Sequence, residues 1–421
     1  MKMYSFPNNK VWRVIFFACF FGILLLARDT LITSSIIGFY KATFIMYGII
    51  AFLGVVFLWV NRRDIKKILM DERILVAIIA AVVFLVPMLV KQDWQLMYFS
   101  VLICIFFAVF LSFFSKREEV VRIFIISISF LCVFSLIAHF GLYNVLDEHL
   151  SEANIFSNGI HDFVNFGFCF VPVNHPQSYR NFGIFREPGV YQFFIIFALI
   201  LNNYFANFDE IWKTWTCNII LAITMLTTFA TGGIIEIALL VFVLFVDKKW
   251  YRKKQAWIIV GVLFSLFAVV FVYSALDNNL LYRAAVQMIK KIFNTTATSS
   301  GGVRYQSIIV DLQLFLNNPL FGEKLSDVMY AEQLRYNTTS TMILFAGYGI
   351  FAGCFHVLSW IALLWDRNRK VWVNLALLLI MFMSFNTQDL TADMFLWLFP
   401  VMALVEKGIP FAKSLKNKKK A

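Results

Sequence analysis

The chain has 421 residues, of which 61% are hydrophobic and only 15% charged, with a mean hydropathy of +0.76 and a formal net charge of +12. A soluble domain carries about 25% charged residues, so a chain this apolar cannot cover itself with a water-compatible surface, and lipid is the expected solvent. One membrane domain over residues 1–421 fits, because each crossing takes about 20 residues and a connection.

Apolar runs predict about twelve spans in chain order, at roughly 11–27, 42–60, 74–90, 95–114, 123–142, 190–206, 217–230, 232–246, 256–275, 339–365, 371–386 and 394–406. The first follows a basic start but has no small-x-small site before Arg28, so it reads as a retained helix and not a cleaved signal. The pair meeting at Gly232-Gly233 reads either as a hairpin of two spans or as one re-entrant element.

Basic residues orient the bundle. The short connections 1–10, 61–73, 115–122, 207–216, 247–255, 366–370 and 407–421, with Arg13, hold all of the 37 Lys and Arg except Arg28, Lys41, Lys91, Arg180, Arg186, Arg283, Lys290, Lys291, Arg304, Lys324 and Arg335. Under the positive-inside rule these connections and both termini are cytoplasmic. The net charge is therefore topological, and nucleic acid is not an expected partner.

Two long connections, 142–189 and 276–337, then face outward. Loops of that length are usually functional. In the second, Leu281, Ala284, Ala285, Met288 and Ile292 share one face of an interfacial helix. Asn294–Gly302 reads as a flexible break, and Val303–Leu316 as a helix with an Ile308, Leu312 and Phe315 stripe, stopped by Asn317-Asn318-Pro319. These helices either cap the bundle or form a platform at a lipid-level site.

The chemistry-bearing residues collect at this outer edge. Pro188 suits the first turn of a helix, which places Arg186 and Glu187 at a helix start facing outward. Arg180, Arg304 and Arg335 come from the same two loops. Planar, permanently charged guanidinium groups match phosphate, and a helix N-terminus adds donors; the plainer role is pairing with acids or lipid headgroups. Glu187, and secondly Glu332, could act as a general base toward a sugar hydroxyl; Glu187 could equally be a helix-start carboxylate. Glu236 lies near the outer end of a span, as a site residue or snorkelling outward. His161 and His175 in the first loop, and Asp389 and Asp393 in a short outer turn, read as solvated, with His175 a secondary site candidate.

Of the cysteines, Cys169 alone falls in an outer loop, so no disulfide is expected there. No His, Cys or carboxylate cluster has metal-ligand spacing, and there is no P-loop or dinucleotide fingerprint. The sequons at Asn294 and Asn337 read as chance occurrences.

Several segments together resemble one family, the bacterial O-antigen and capsule polymerases of the Wzy type with the related O-antigen ligases. Phe185–Gly189 is similar to the family's "EPG" segment entering a span. Thr227-Thr228-Phe229-Ala230-Thr231-Gly232-Gly233 resembles its "TFSTGG" turn. Gly301-Gly302-Val303-Arg304 through Asn318-Pro319-Leu320-Phe321-Gly322 resembles its "SGR…NPLFG" stretch, and Gly347 to Gly353 its "GxxG" segment. The resemblance covers roughly 140–365. It implies a GT-C-like membrane glycosyltransferase with Glu187 and the four arginines at its site. The donor would be a glycan on undecaprenyl diphosphate, and the acceptor a second lipid-linked repeat unit. Transfer would be inverting, without metal or cofactor, at the periplasmic face of a bacterial inner membrane, with a chain-length regulator as a further partner the resemblance allows. The ligases' histidine is absent: its position falls near Thr338, which favours polymerase over ligase. A lipid-linked oligosaccharide flippase is the rival class, but no repeat joins the halves, and the charges sit at the outer edge and not at mid-bilayer.

Overall fold

The structure, a computed structural model, describes residues 3–4, 10–142, 155–157, 162–173, 180–254, 300–331, 334 and 337–418. The expected span 256–275, the interfacial helix over 281–292, and His161, His175, Glu332 and Arg335 lie outside the described residues.

The described chain is mostly helical: α1 (Lys10–Leu25), α2 (Phe39–Val60), α3 (Ile65–Leu69), α4 (Arg73–Lys91), α5 (Leu96–Leu111), α6 (Arg117–Ile137), α7 (Pro188–Tyr204), α8 (Ile211–Thr227), α9 (Thr231–Asp247), α10 (Ser300–Asn317), α11 (Leu325–Met329), α12 (Ser340–Tyr348), α13 (Ile350–Leu364), α14 (Val371–Phe385) and α15 (Met394–Lys418). Three segments, Phe39–Val60, Arg73–Lys91 and Arg117–Gly141, are long and apolar enough to cross a membrane, and shorter apolar helices accompany them. Their outward faces are apolar: Phe44 is 72% exposed and Trp59 70% on α2, with Ile78, Val82 and Leu89 exposed on α4. Contiguous apolar surface of this kind belongs against lipid, and the chain is read as a membrane protein.

Two helices form the centre. In α7 every residue from Val190 to Asn202 is buried, and α6, α8, α9 and α14 pack around it. Along α15, Met394 to Phe399 are buried against α5, α6 and α13. Ring contacts tie the two centres together, as Phe194 meets Phe395 and Phe197 meets Phe399.

The ends of the bundle differ in charge. At one end Arg73 donates to the Ser112 carbonyl (2.6 Å) and Arg122 to that of Ala206 (2.7 Å). Here too Arg117 pairs with Glu406 (3.3 Å) and Lys407 donates to the Trp365 carbonyl (2.6 Å). The short basic connections thus share one end, and the segments around 26–38, 180–187, 318–331, 337–339 and 386–393 form the other.

Two expectations change, one open alternative is resolved, and the mostly helical fold gains a small sheet. The first long connection holds this antiparallel sheet, β1 (Ile155–Ser157), β2 (Asp162–Asn165) and β3 (Phe170–Val173), with Phe163 opposite Pro172. The run from Asp162 to Val173 is aromatic and β-branched around a turn where Asn165 Oδ1 accepts from Gly167 N (2.7 Å), which is hairpin chemistry. The segment 339–365 is two helices, α12 and α13, broken at Gly349. Residues 217–246 are two helices, α8 and α9, reversing at Phe229. Finally, α10 begins at Ser300, inside the expected break, and buries Val303, Ser307, Val310 and Asp311, while Ile308 and Leu312 of the expected stripe are exposed. Its packed face is half polar because polar partners await it on the bundle.

Candidate functional site

The site is organised by three dipeptides from distant parts of the chain. The strand-like segment after α1 pairs with the one before α7: Thr30 bridges Phe185, Arg186 N donates to Asp29 O (3.0 Å), and Leu31 N to Ile184 O (2.8 Å). This backbone pairing sets Arg28-Asp29 beside Arg186-Glu187. The turn after α14 brings Gln388-Asp389 to the same place. Arg186 Nε lies 2.7 Å from Asp29 Oδ1. Gln388 Nε2 donates to Glu187 Oε2 (2.9 Å). Arg28 Nη2 lies 3.6 Å from Asp389 Oδ2. Each contact passes to the neighbour in sequence, so the six residues close a ring.

Burial divides the ring. Asp29, Gln388 and Asp389 are buried, whereas the side chains of Arg186 and Glu187 are 33% and 37% exposed and form its open edge. The nearby Asp29 carboxylate holds Arg186 above the usual guanidinium range. Burial pushes the Asp29 carboxyl up, against the pull of Arg186 and Arg28. Arg186 therefore sits at the edge with part of its fork engaged by an acid, the plainer of the two roles read from the sequence, while the rest of the side chain stays partly exposed. Glu187 precedes Pro188 in extended conformation, and its side chain caps no backbone N–H of α7. The carboxylate is turned to Gln388, so its place is not explained as a helix cap.

The other predicted residues fall around this ring in two groups. From α10, Arg304 Nε donates to Thr387 O (3.3 Å), one residue before Gln388. Arg180 Nε donates to Thr228 O (3.0 Å), and next to it Asn181 N donates to Thr227 O (2.9 Å). The connection leading to Glu187 is thus stapled to the α8–α9 reversal. Glu236, expected near the surface, is fully buried in the second turn of α9. Its surroundings are Gln192 and Ser384, with the Arg304 charge within reach. Gly232 and Gly233 admit that packing: a Cβ on Gly233 would lie 2.8 Å from Gln192 Cγ. Asp389 and Asp393, expected to be solvated, are buried. Asp393 Oδ1 accepts from Phe395 N (2.8 Å), and burial pushes its carboxyl up to about 7. The opposite-charge pair Arg28-Asp29, ending the first apolar run, was a visible signal of this site that the sequence reading passed over.

Behind the site the late motifs brace one another. Glu323 N donates to Ala346 O (2.7 Å) and Ile350 N to Pro319 O (2.9 Å), which docks the Asn318–Gly322 turn onto the break at Gly349. Lys91 Nζ donates to the carbonyls of Glu323 (2.8 Å) and Gly347, and Asp93 Oδ2 accepts from Leu325 N (2.8 Å). On α10, Asp311 accepts from Asn337 Nδ2 (2.6 Å) and from the Thr339 hydroxyl. Asn337, the second sequon asparagine, is therefore buried with its amide engaged. These contacts fix the helix that carries Arg304.

The arrangement offers one half-exposed carboxylate, held by one oxygen and lying beside the Arg186 guanidinium, at the end of the bundle opposite the basic connections. It can accept a proton and hold an anion side by side. No protein-family model matches the chain, and a search of curated proteins finds no match.

Proposed function

We propose that the protein is a polysaccharide polymerase, a GT-C-like inverting glycosyltransferase that moves a growing glycan from undecaprenyl diphosphate to a lipid-linked repeat unit. About twelve transmembrane helices would span a bacterial inner membrane, with both termini cytoplasmic and the site on the periplasmic face. One observation carries the reading. Segments that resemble the family's motifs and are far apart in sequence are linked by contact: Glu187 accepts from Gln388, Arg304 donates to the adjoining Thr387 carbonyl, and Gly232-Gly233 pack on Gln192 of the helix that Pro188 begins.

In this reading Glu187 takes the proton of the acceptor hydroxyl as its oxygen attacks the anomeric carbon of the donor. The bond from that carbon to the diphosphate oxygen breaks, and the lipid diphosphate leaves with the electron pair. Negative charge grows on it as the bond lengthens. Arg304, Arg180 and the outer edge of Arg186 stabilise that charge, a contribution realised mainly in the transition state. Arg335 belongs to the same loop and is assigned the same role. Glu236 and the Gln192 beside it support the floor of the site.

The test is a reconstitution with lipid-linked repeat units. Purified protein in vesicles should yield a ladder of lengthening glycans on lipid, and cells lacking it should carry single repeat units on their surface lipid. Loss of all surface glycan attachment would indicate a ligase, and accumulation on the inner leaflet a flippase. Either result would overturn the proposal.

A further inference from the structure

We infer that Gln388 is a positioning residue for Glu187, and that Gly189 is small so that Gln388 can reach it. This rests on the reading of Glu187 as the base. The amide of Gln388 is buried and donates Nε2 to Glu187 Oε2 (2.9 Å). A carboxylate can only accept, so the NH2 side of the amide must face it. With Oε2 held, Oε1 is the oxygen presented at the open edge, 4.0 Å from Arg186 Nη1. A base fixed by one oxygen and offering the other is oriented for a proton transfer, and an unheld carboxylate on a half-exposed side chain is not.

The backbone that carries the amide is held from behind. The Ser340 hydroxyl, at the start of α12, donates to Gln388 O (2.7 Å) and accepts from Leu390 N (2.8 Å). Thr341 N donates to Asn386 Oδ1 (2.9 Å). The turn 386–390 is thus clamped to α12 through its backbone, and a change in the Gln388 side chain leaves that clamp in place. On the other side, a Cβ on Gly189 would stand 2.8 Å from Gln388 Nε2, inside van der Waals contact. The glycine after Pro188 therefore has a local reason: it is the floor on which the amide lies.

The experiment is a set of variants assayed for glycan transfer in vesicles, with kcat and apparent KM for the lipid-linked acceptor measured separately. Gln388→Met keeps the length and removes the donor, and Gly189→Ala leaves the amide but displaces it. Each should lower kcat by about ten- to a hundred-fold with KM unchanged, the effect of a misplaced reacting group. Glu187→Asp retains a carboxylate too short to meet the amide, so adding Gln388→Met to it should cost nothing further. Full activity of both Gln388→Met and Gly189→Ala, a rise in KM alone, or an additional loss in the Glu187→Asp background overturns the inference. If Gln388→Met does not accumulate, Gly189→Ala decides on the same criteria. Glu187→Gln separates the two levels. If it transfers at the normal rate, the base reading fails. If it is inactive while Gln388→Met and Gly189→Ala are normal, only the positioning role fails.

Discussion

Replacing Gly349 by alanine should unhook the support behind the site. Gly349 breaks α12 from α13 with φ +83° and ψ −179°, a region open almost only to glycine. Holding an alanine there costs roughly 1–3 kcal/mol in backbone strain. The space is closed as well: a Cβ would lie 2.6 Å from Leu320 C and 2.8 Å from Phe321 Cα. These are backbone atoms of the turn whose carbonyls accept from Ile350 N (at Pro319 O) and Gly322 N (at Asn318 O), so no rotamer change relieves the overlap. Overpacking of this kind adds roughly 1–3 kcal/mol, for a total on the order of 2–6 kcal/mol. Gly301→Ala is the control, since nothing lies within 4 Å of its Cβ and it sits in the first turn of α10. It should be neutral or stabilising by about 0.5–1 kcal/mol. The assay is heat inactivation of detergent-solubilised protein, followed as a rate because unfolding of such proteins is commonly irreversible. Equal half-lives for Gly349→Ala and the parent would refute the docking of the Asn318–Gly322 turn as a source of stability.

Arg304→Ala should lower transfer by a factor corresponding to about 2–4 kcal/mol of transition-state stabilisation, with normal abundance, and Arg304→Lys should rescue it poorly because an ammonium lacks the planar fork; full activity of the alanine variant in the vesicle assay would count against a diphosphate role. Cysteine at Ser326 should label with an impermeant thiol reagent in intact cells and cysteine at Lys418 should not, and the reverse pattern would invert the topology. Burial pushes the Asp311 carboxyl up to about 7 from its ordinary 3.8, so the folded state binds the extra proton between those values, and stability falls as pH rises from about 4 to about 7 and is flat above; Asp311→Asn should flatten a thermal-stability profile over that window. Activity should survive EDTA, because guanidinium groups supply the positive charge in the proposed mechanism, and loss on chelation with recovery on adding a divalent cation would contradict it.

Local signals in the sequence located local events. Pro188 marked the start of α7, Asn317-Asn318-Pro319 the end of α10, and the apolar runs the extent of α4, α5 and α14 to within a few residues. Hydropathy sees apolarity and not backbone angles, so the uninterrupted apolar run through Gly349 read as one span although the chain turns there. The half-polar packed face of α10 was misassigned because Asp311 is buried against Asn337 and Thr339, partners that no helical periodicity reveals. Arg186 and Glu187 were recognisable from their place before Pro188, but their counterparts Asp29 and Gln388 were not. Those contacts join positions with no local relation, and only the folded bundle brings them together.

The ring of three dipeptides also has a history within each molecule. Arg28 and Asp29 leave the ribosome early, and their partner turn at Gln388-Asp389 emerges about 360 residues later, a delay of tens of seconds at roughly 5–20 residues per second. Through that interval the first charged pair must wait at the membrane edge with its final partner unmade. The ring consequently cannot close until the turn at Gln388-Asp389 has emerged, and a chain interrupted before that turn lacks it. Such a product would carry Arg186 and Glu187 without the Gln388 and Asp389 contacts that complete the ring.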